Sequence, residues 1–321
     1  MKTPLAAALL ALGVAASAAA QTFPARVVRV IVPFPPGGGI DILLRTLAPE
    51  LTTKWGQPVI VENRAGAGSN IGAEAVAKSA PDGHTLLATV NQTFTSNRFL
   101  YKSLPYDPER SFAPITLILQ SDHFLLAHPS LPAKDVRELV ALAKRQPGKL
   151  NYGSFGNGSQ PHLIYETLNK REGLDLLHVP YKGISPNITA LIAGEVQLAT
   201  GSAAVASELL KSGRVKALAI AGKRRAGQFP NVPTTAEEGY PYLLASIWYG
   251  LFAPAGTPPA IVEKIGNDVR AILKTPAFTE KHITGRGLDL VASSAGELAA
   301  TIKEETATVG EMIRAAGVQP E

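Results

Sequence analysis

The chain has no cysteine among its 321 residues, which excludes a disulfide framework and any thiolate-ligated metal. Its six histidines (His84, His123, His128, His162, His178 and His282) show no paired ligand spacing, so the sequence offers no zinc site either. Beyond the first twenty residues there is no apolar run long enough to span a bilayer. The one tight basic cluster, Lys223-Arg224-Arg225, has no aromatic interleaving, so the pI of 9.3 reads as solvated surface and no nucleic-acid partner is expected. What remains is 45% hydrophobic and 18% charged, an ordinary globular composition that must be held by its core alone.

Residues 1–20 read as a secretory signal. Lys2 gives a positive start, Leu5 to Ala16 form an Ala/Leu-rich run, and Ala18-Ala19-Ala20 supply a small-residue cleavage site. The run is too short and alanine-rich for a good membrane anchor. Cleavage near Ala20 removes Lys2 and no acid, so the formal charge falls from +5 to +4. A periplasmic location is expected, and the length left suggests two domains.

Short apolar runs alternate with helical patterns, the signature of a parallel α/β sheet. Strands are predicted at 27–32, 58–61, 84–89, 115–119, 124–127, 150–153, 177–179, 196–200, 215–220 and 247–252. Helices are predicted at 40–54, with Pro49 kinking or splitting it, and at 71–78, 133–145, 161–170, 186–193, 203–211, 258–273 and 295–316. No repeat, low-complexity tract or flexible linker is visible.

A strand running into a glycine loop that opens a helix occurs three times. The first is Val30-Ile31-Val32-Pro33-Phe34-Pro35-Pro36-Gly37-Gly38-Gly39-Ile40-Asp41. The second runs from Val59 to Gly72, and the third from Leu150 through Gly153-Ser154-Phe155-Gly156-Asn157-Gly158-Ser159 to His162. Glycines admit close approach of a guest, and a helix start aims free N–H groups and a positive dipole end at it, which suits an anion. No lysine follows the first loop, so it is no phosphate-cradling P-loop, and a carboxylate is the expected guest. In a two-lobed protein the first and third loops can form opposite walls of one cleft.

Catalytic patterns fail. Gly66-Ala67-Gly68 with Gly72 is one residue too long for a dinucleotide fingerprint, and no acid ends a strand at the required distance, so no cofactor is expected. Around Ser154, Tyr152 stands where a nucleophile elbow needs glycine. Asp41, at a helix start, suits backbone N–H groups better than general-base work. His162, in the first turn of a loop-borne helix, suits either a ligand contact or a hydrogen bond at the helix start.

The motifs together resemble the Bug-type periplasmic receptors, solute-binding components of tripartite tricarboxylate transporters. They are Val32-Pro33-Phe34 with Gly37-Gly38 and Asp41; Val61-Glu62-Asn63-Arg64 with Gly66-Ala67-Gly68 and Gly72; Pro81-Asp82-Gly83; and Pro105-Tyr106-Asp107. Further on come Asn151-Tyr152 with Ser154, Gly156, Gly158-Ser159 and His162; His178-Val179-Pro180-Tyr181-Lys182-Gly183; Asn231-Val232-Pro233-Thr234; and Ala253-Pro254-Ala255-Gly256-Thr257-Pro258. Each is weak alone, but their order and spacing from Phe23 to Gln319 are specific.

The resemblance implies an α/β, type II-like periplasmic-binding-protein clamshell, each lobe a mostly parallel sheet flanked by helices. Lobe I would comprise residues 22–121 plus 247–321, and lobe II residues 122–246. It implies a monomeric, non-enzymatic receptor that holds one ligand carboxylate through loop N–H groups and waters and works with membrane components of the transporter. Carried onto matching positions, the contacts are Phe34, Gly37, Gly38 and Asp41 on one wall and Ser154, Gly158, Ser159 and His162 on the other. Tyr181 and the Thr200–Ala203 segment, with Gly201, Ser202 and Ala203, are further candidates. The ligand class is open among di- and tricarboxylates, aromatic acids, nicotinate-like acids and amino acids. Phe34, Phe94, Phe124, Phe155 and Tyr181 are candidates for an aromatic-friendly cleft, or else core residues. Ile40 stands where a hydroxyl residue is common, and Ser111 replaces a frequent aspartate. Asn91-Gln92-Thr93-Phe94, Asp122-His123-Phe124 and Thr200-Gly201-Ser202 are also uncommon choices, placed to read the far end of the ligand. An exported serine hydrolase built on Ser154, or a ligand-binding sensor uncoupled from transport, are the alternative readings.

Overall fold

The computed structural model describes residues 23–320 apart from 223 and 244; the signal reading falls on residues outside this range. In chain order the elements are β1 (Val28–Val32), α1 (Gly39–Trp55), β2 (Val59–Asn63), α2 (Asn70–Ala77), β3 (Thr85–Val90), α3 (Gln92–Thr95), α4 (Asn97–Leu100) and β4 (Phe112–Ala127). They continue with α5 (Val136–Arg145), β5 (Asn151–Ser154), α6 (Gln160–Glu172), β6 (Leu177–Pro180), α7 (Ile184–Ala193), β7 (Leu198–Ser202), α8 (Ala203–Lys211) and β8 (Lys216–Ile220). The last are β9 (Ser246–Pro254), α9 (Pro259–Leu273), α10 (Pro276–His282), β10 (Asp289–Leu290) and α11 (Ala295–Ala316).

The strands line up as β2-β1-β3-β9-β4-β7-β5-β6, with β8 and β10 also paired to β4. Two parallel triplets, β2-β1-β3 and β7-β5-β6, are the two halves, each flanked by helices. Between them β4 and β9 run antiparallel to their neighbours, because they carry the chain across and back. Residues 112–122 of β4 pair with β9, and residues 123–127 pair with β7 and β8. The carboxyl ends of β1, β2 and β3 therefore confront those of β5, β6 and β7, where open α/β sheets place their ligands.

Two expectations need correction. The strands expected at 115–119 and 124–127 are one 16-residue strand. The polar stretch Gln120-Ser121-Asp122 reads as a break, yet it is held in the ladder by Trp248, Ile247 and Ser246 of β9. Pro49 does not split α1, which is continuous to Trp55. Pro49 lies on the exposed side, so the carbonyl it leaves without a donor can meet water, while Leu44, Leu47 and Leu51 stay buried along the opposite face. Gly56 then closes the helix in the left-handed region, its N–H donating to the Thr52 carbonyl.

Candidate ligand-binding site

The first wall is the β1–α1 loop. Asp41 is 2% exposed, and its carboxylate accepts the Gly37 N–H at 2.9 Å, Arg45 Nε at 3.0 Å and Asn63 Nδ2 at 2.9 Å. Asn63 Nδ2 also donates to the Phe34 carbonyl, and an Arg45 guanidinium nitrogen reaches Asn63 Oδ1. The Asp41 side chain is thus turned back into its own loop, fixing Gly37 at φ +85° and leaving the helix start to face outward. Burial alone would raise the Asp41 carboxyl, but Arg45, the Gly37 N–H and Asn63 outweigh it and hold it below its ordinary range.

The opposite wall follows β5. Ser154 is fully buried, accepts the Gly156 N–H at 3.1 Å and lies 2.6 Å from His178 Nε2. Ser159 Oγ donates to the Gly156 carbonyl, and the Gly158 N–H donates to His162 Nδ1 at 2.8 Å, so His162 does secure the helix start. His162, His178 and Tyr152 form a ring stack, with centroids 4.1 and 5.0 Å apart. Burial, then the neighbouring His162, depresses His178 to about 4, so it is neutral at neutral pH. A hydroxyl this buried and tied into its own loop is not presented to a substrate carbonyl, against the hydrolase reading.

The walls touch. Ser185 Oγ donates to the Pro36 carbonyl at 2.9 Å, and a Cβ on Gly183 would lie 2.8 Å from Pro35. A Cβ on Gly158 would lie 2.1 Å from Leu100, so that loop needs glycine to seat α4. Tyr181 is half-buried beside this contact, its N–H donating to the Ser154 carbonyl.

Between the walls lies a polar floor built from the ends of β7 and the crossing strands. Ser202 Oγ lies 3.2 Å from the Tyr249 hydroxyl. A Cβ on Gly39 would lie 2.0 Å from that hydroxyl and 3.3 Å from Ser202 Oγ, so the starts of α1 and α8 meet here. Neither N-cap residue, Gly38 or Ser202, makes a side-chain cap, and Ser159 of α6 makes none either. Burial pushes the Tyr249 phenol up to about 12 and His123 on β4 down to about 4, so both are neutral.

Gly37 and Gly38 lie at the wall contact, beside Ser185 and Ile184; Ser154, Gly158, Ser159 and His162 are tied together in the β5–α6 loop, to which the Tyr181 N–H also bonds, and Ser202 lies in the floor. Phe34 sits half-buried behind its loop. A Cβ on Gly201 would face Leu126 and Ile188, and the Ala203 side chain is buried in the main core cluster, so neither presents a polar side chain to the floor. Phe94 and Phe124 are core residues, Phe94 stacked at 4.2 Å on Phe252 and Phe124 edge-on at 5.4 Å to Phe229. Sequence reading missed Tyr249 and Ser185. Their only signal is a hydroxyl in an otherwise apolar strand and a hydroxyl just after the Tyr181-Lys182-Gly183 motif.

A cavity of about 780 Å³ lies beside α11 and the crossing strands, lined among others by Asp122, Gln160, Trp248 and Glu305. Burial raises the Glu305 carboxyl, while Asn91 Nδ2 and Trp248 Nε1 donate to it. Among the described residues no group of three histidines and acids is placed to hold a metal, and no helix is long and apolar enough to cross a membrane.

Residues 43–318 match the family described as the tripartite tricarboxylate transporter family receptor. Among solved structures, the chain is similar to the periplasmic binding protein BugD, with 32% identity and a TM-score of 0.88 over 93% of this chain and 100% of that one. It is similar to Rpa4515 of R. palustris, solved with adipate, with 32% identity and a TM-score of 0.90 over 93% and 100%. MatC of Rhodopseudomonas palustris, solved with bound malate, shares 33% identity and a TM-score of 0.85 over 91% and 100%. With its two-lobed periplasmic-binding-protein fold, the chain belongs to the Bug-type receptors of the tripartite tricarboxylate transporter family, solute-binding proteins and not enzymes.

Proposed function

We propose that this chain is a periplasmic receptor that captures a small carboxylate between its lobes and delivers it to the membrane components of a tripartite transporter. One observation carries the reading. The starts of α1 and α8, reached from opposite halves of the fold, meet at Gly39 and Ser202; neither N-cap residue caps its helix with its own side chain, and the Ala203 N–H of α8 makes only a long bond, 3.4 Å, to Ser121 Oγ. Converging N–H groups and dipole ends favour an anion there, and the surrounding His123, His178 and Tyr249 are neutral. A carboxylate carries the modest charge such a site can hold without a buried cation.

Gly37, Gly38, Ser154, Gly158, Ser159, His162, Tyr181 and Ser202 border this pocket; Asp41 shapes its wall. The lobes we assign, 22–121 plus 247–321 and 122–246, close about β4 and β9, and the ligand favours the closed state because only that state supplies both walls. The relatives solved with adipate and malate make dicarboxylates the first class to try. The signal-like residues 1–20 support export, and the receptor acts as a monomer.

The test is a thermal-shift screen of refolded, ligand-free protein against a carboxylic-acid panel. A true ligand at a hundred times its Kd adds about 2.7 kcal/mol to stability. Stabilisation by one or a few acids, without turnover, is expected; a uniformly flat screen contradicts the proposal.

A further inference from the structure

Leu163 lies on α6, a helix of the second half, yet it packs outside that half's core. Its neighbours Ile164, Tyr165 and Leu168 pack with Tyr152 and Leu198 of the sheet. Leu163 is turned to the flank of the helix and is 2% exposed, buried in a separate cluster with Leu100 of α4 and with Val309 and Ile313 of α11. Leu100 comes from the first half, in the stretch that follows β3, and α11 lies along β4 and α3 as well as α6. A Cβ on Gly310 would lie 2.7 Å from the Phe99 ring, so α11 sits tightly against the α4 side of the cluster. The burial of Leu163 therefore depends on elements outside its own lobe.

The same cluster reaches the second wall. A Cβ on Gly158 would lie 2.1 Å from both Leu100 methyl carbons, and Gly158 has a φ of +65°. The Gly158 N–H donates to His162 Nδ1 at 2.8 Å, His162 stacks at 4.1 Å on His178, and His178 Nε2 lies 2.6 Å from Ser154 Oγ. Leu100 thus rests on the backbone of the β5–α6 loop, whose hydrogen bonds hold that wall together. Like the bond from Ser185 to the Pro36 carbonyl, this contact spans the two halves. Parting the walls lifts α6 and its loop from α4 and α11, and it bares Leu163 and one face of Leu100 to water. Apolar surface returned to water carries a cost that grows with the area exposed.

We propose that Leu100 and Leu163 form an apolar latch that holds the lobes closed and seats the β5–α6 loop, so that both are positioning residues for ligand capture without touching the ligand. This rests on the carboxylate-capture reading above and adds to it the contact that sets how much of the protein is closed before a ligand arrives. The ligand supplies the remaining bias, because it favours the state whose two walls it needs.

The chain has no cysteine, so spin labels on Glu50→Cys in lobe I and Arg145→Cys in lobe II, both exposed positions, read closure from their separation with no ligand present. Ligand-free protein should show a closed population, and Leu163→Ala should lower its closed-to-open ratio roughly tenfold. Leu163→Met, which keeps the volume, should stay near the wild-type ratio. Val309→Ala, on the α11 side of the same contact, should shift the ratio in the same direction and reads the latch if Leu163→Ala does not fold. Calorimetry with adipate and malate is the second readout: affinity should fall with the closed fraction, by up to the same factor, while the ligand-free melting temperature moves little. A leucine with a merely structural role gives the reverse, a lowered melting temperature with unchanged label distances and affinity. That reverse pattern, or the same distance distribution in the wild type and the folded variants, overturns the inference and leaves capture standing. If no carboxylic acid binds, capture falls, while the label distances still decide whether the latch exists.

Discussion

The Ser185 hydroxyl donates to the Pro36 carbonyl at 2.9 Å, linking the α7 start to the β1–α1 loop across the contact between the walls. Such a bond exists only when the walls are together. Ser185→Ala should therefore weaken ligand binding roughly three- to tenfold, the worth of a hydrogen bond of about 1 kcal/mol, mainly through faster release. Stopped-flow dissociation kinetics check this, with an unchanged melting temperature of the ligand-free protein as the control.

Asp41 is the keystone of the first wall, and its loss should be felt in stability before binding. In Asp41→Asn the Gly37 N–H, Arg45 and Asn63 lose their charged acceptor, which should cost about 1–3 kcal/mol. The carboxyl is held below its ordinary range in the folded protein, so its contribution is present above that range and disappears as the pH falls through the folded value. Melting curves from pH 6 down to about 3 should show that acid-sensitive component in the wild type and a smaller one in the variant.

The glycines of the first loop separate by what a side chain would strike. Gly38 has an ordinary φ of −73°, and a Cβ there would lie 3.3 Å from Ile184 of the other wall. Gly38→Val should fold but hold the walls apart, lowering affinity by roughly tenfold or more, an effect of about 1.4 kcal/mol upward. Unchanged affinity by calorimetry in a folded variant would sink the proposed anion loop. At Gly39 the Cβ would strike the Tyr249 hydroxyl, so even Gly39→Ala should displace the floor and destabilise by about 1–3 kcal/mol, as overpacking does.

Two histidines, His123 buried and His178 half-buried, make stability depend on pH. His123 and His178 both lie near 4 in the folded protein, depressed by burial and, for His178, also by His162. The unfolded chain takes up protons below about 6.5 while the folded one does not, so stability is full above that pH and falls toward pH 4, by at most about 1.4 kcal/mol per pH unit for each histidine. His178→Gln, which keeps a polar group at Ser154, should flatten this slope in calorimetric melting between pH 7 and 5.

Much of this was legible in residue order. The β1 strand, the Pro/Gly loop and the following helix could be read from a short apolar run, breakers and a 3.6-residue period, and the structure has them at Val28–Val32 and Gly39–Trp55. The stretch Asn91–Thr95 could not be read that way. Gln92, Thr93, Phe94 and Thr95 are all buried, so no face alternates, and the polar members are satisfied from a distance: Thr93 Oγ1 by Ser69 and Thr89, and its carbonyl by Tyr106. The floor was hidden for a related reason. Ser202 and Tyr249 are 47 residues apart and meet only because β4 and β9 cross between the halves. Local pattern marks the walls, whereas the floor is a product of topology.

The central claim is that a carboxylate lies between the glycine loops against the starts of α1 and α8. A crystal structure of refolded protein with the acid that stabilises it most tests this directly. The expected result is carboxylate density within hydrogen-bond distance of backbone N–H groups in the 37–41 and 202–203 segments, with the loop at 154–159 closed over it. Density for the acid in the cavity beside α11, with the space between the glycine loops holding none, would contradict it.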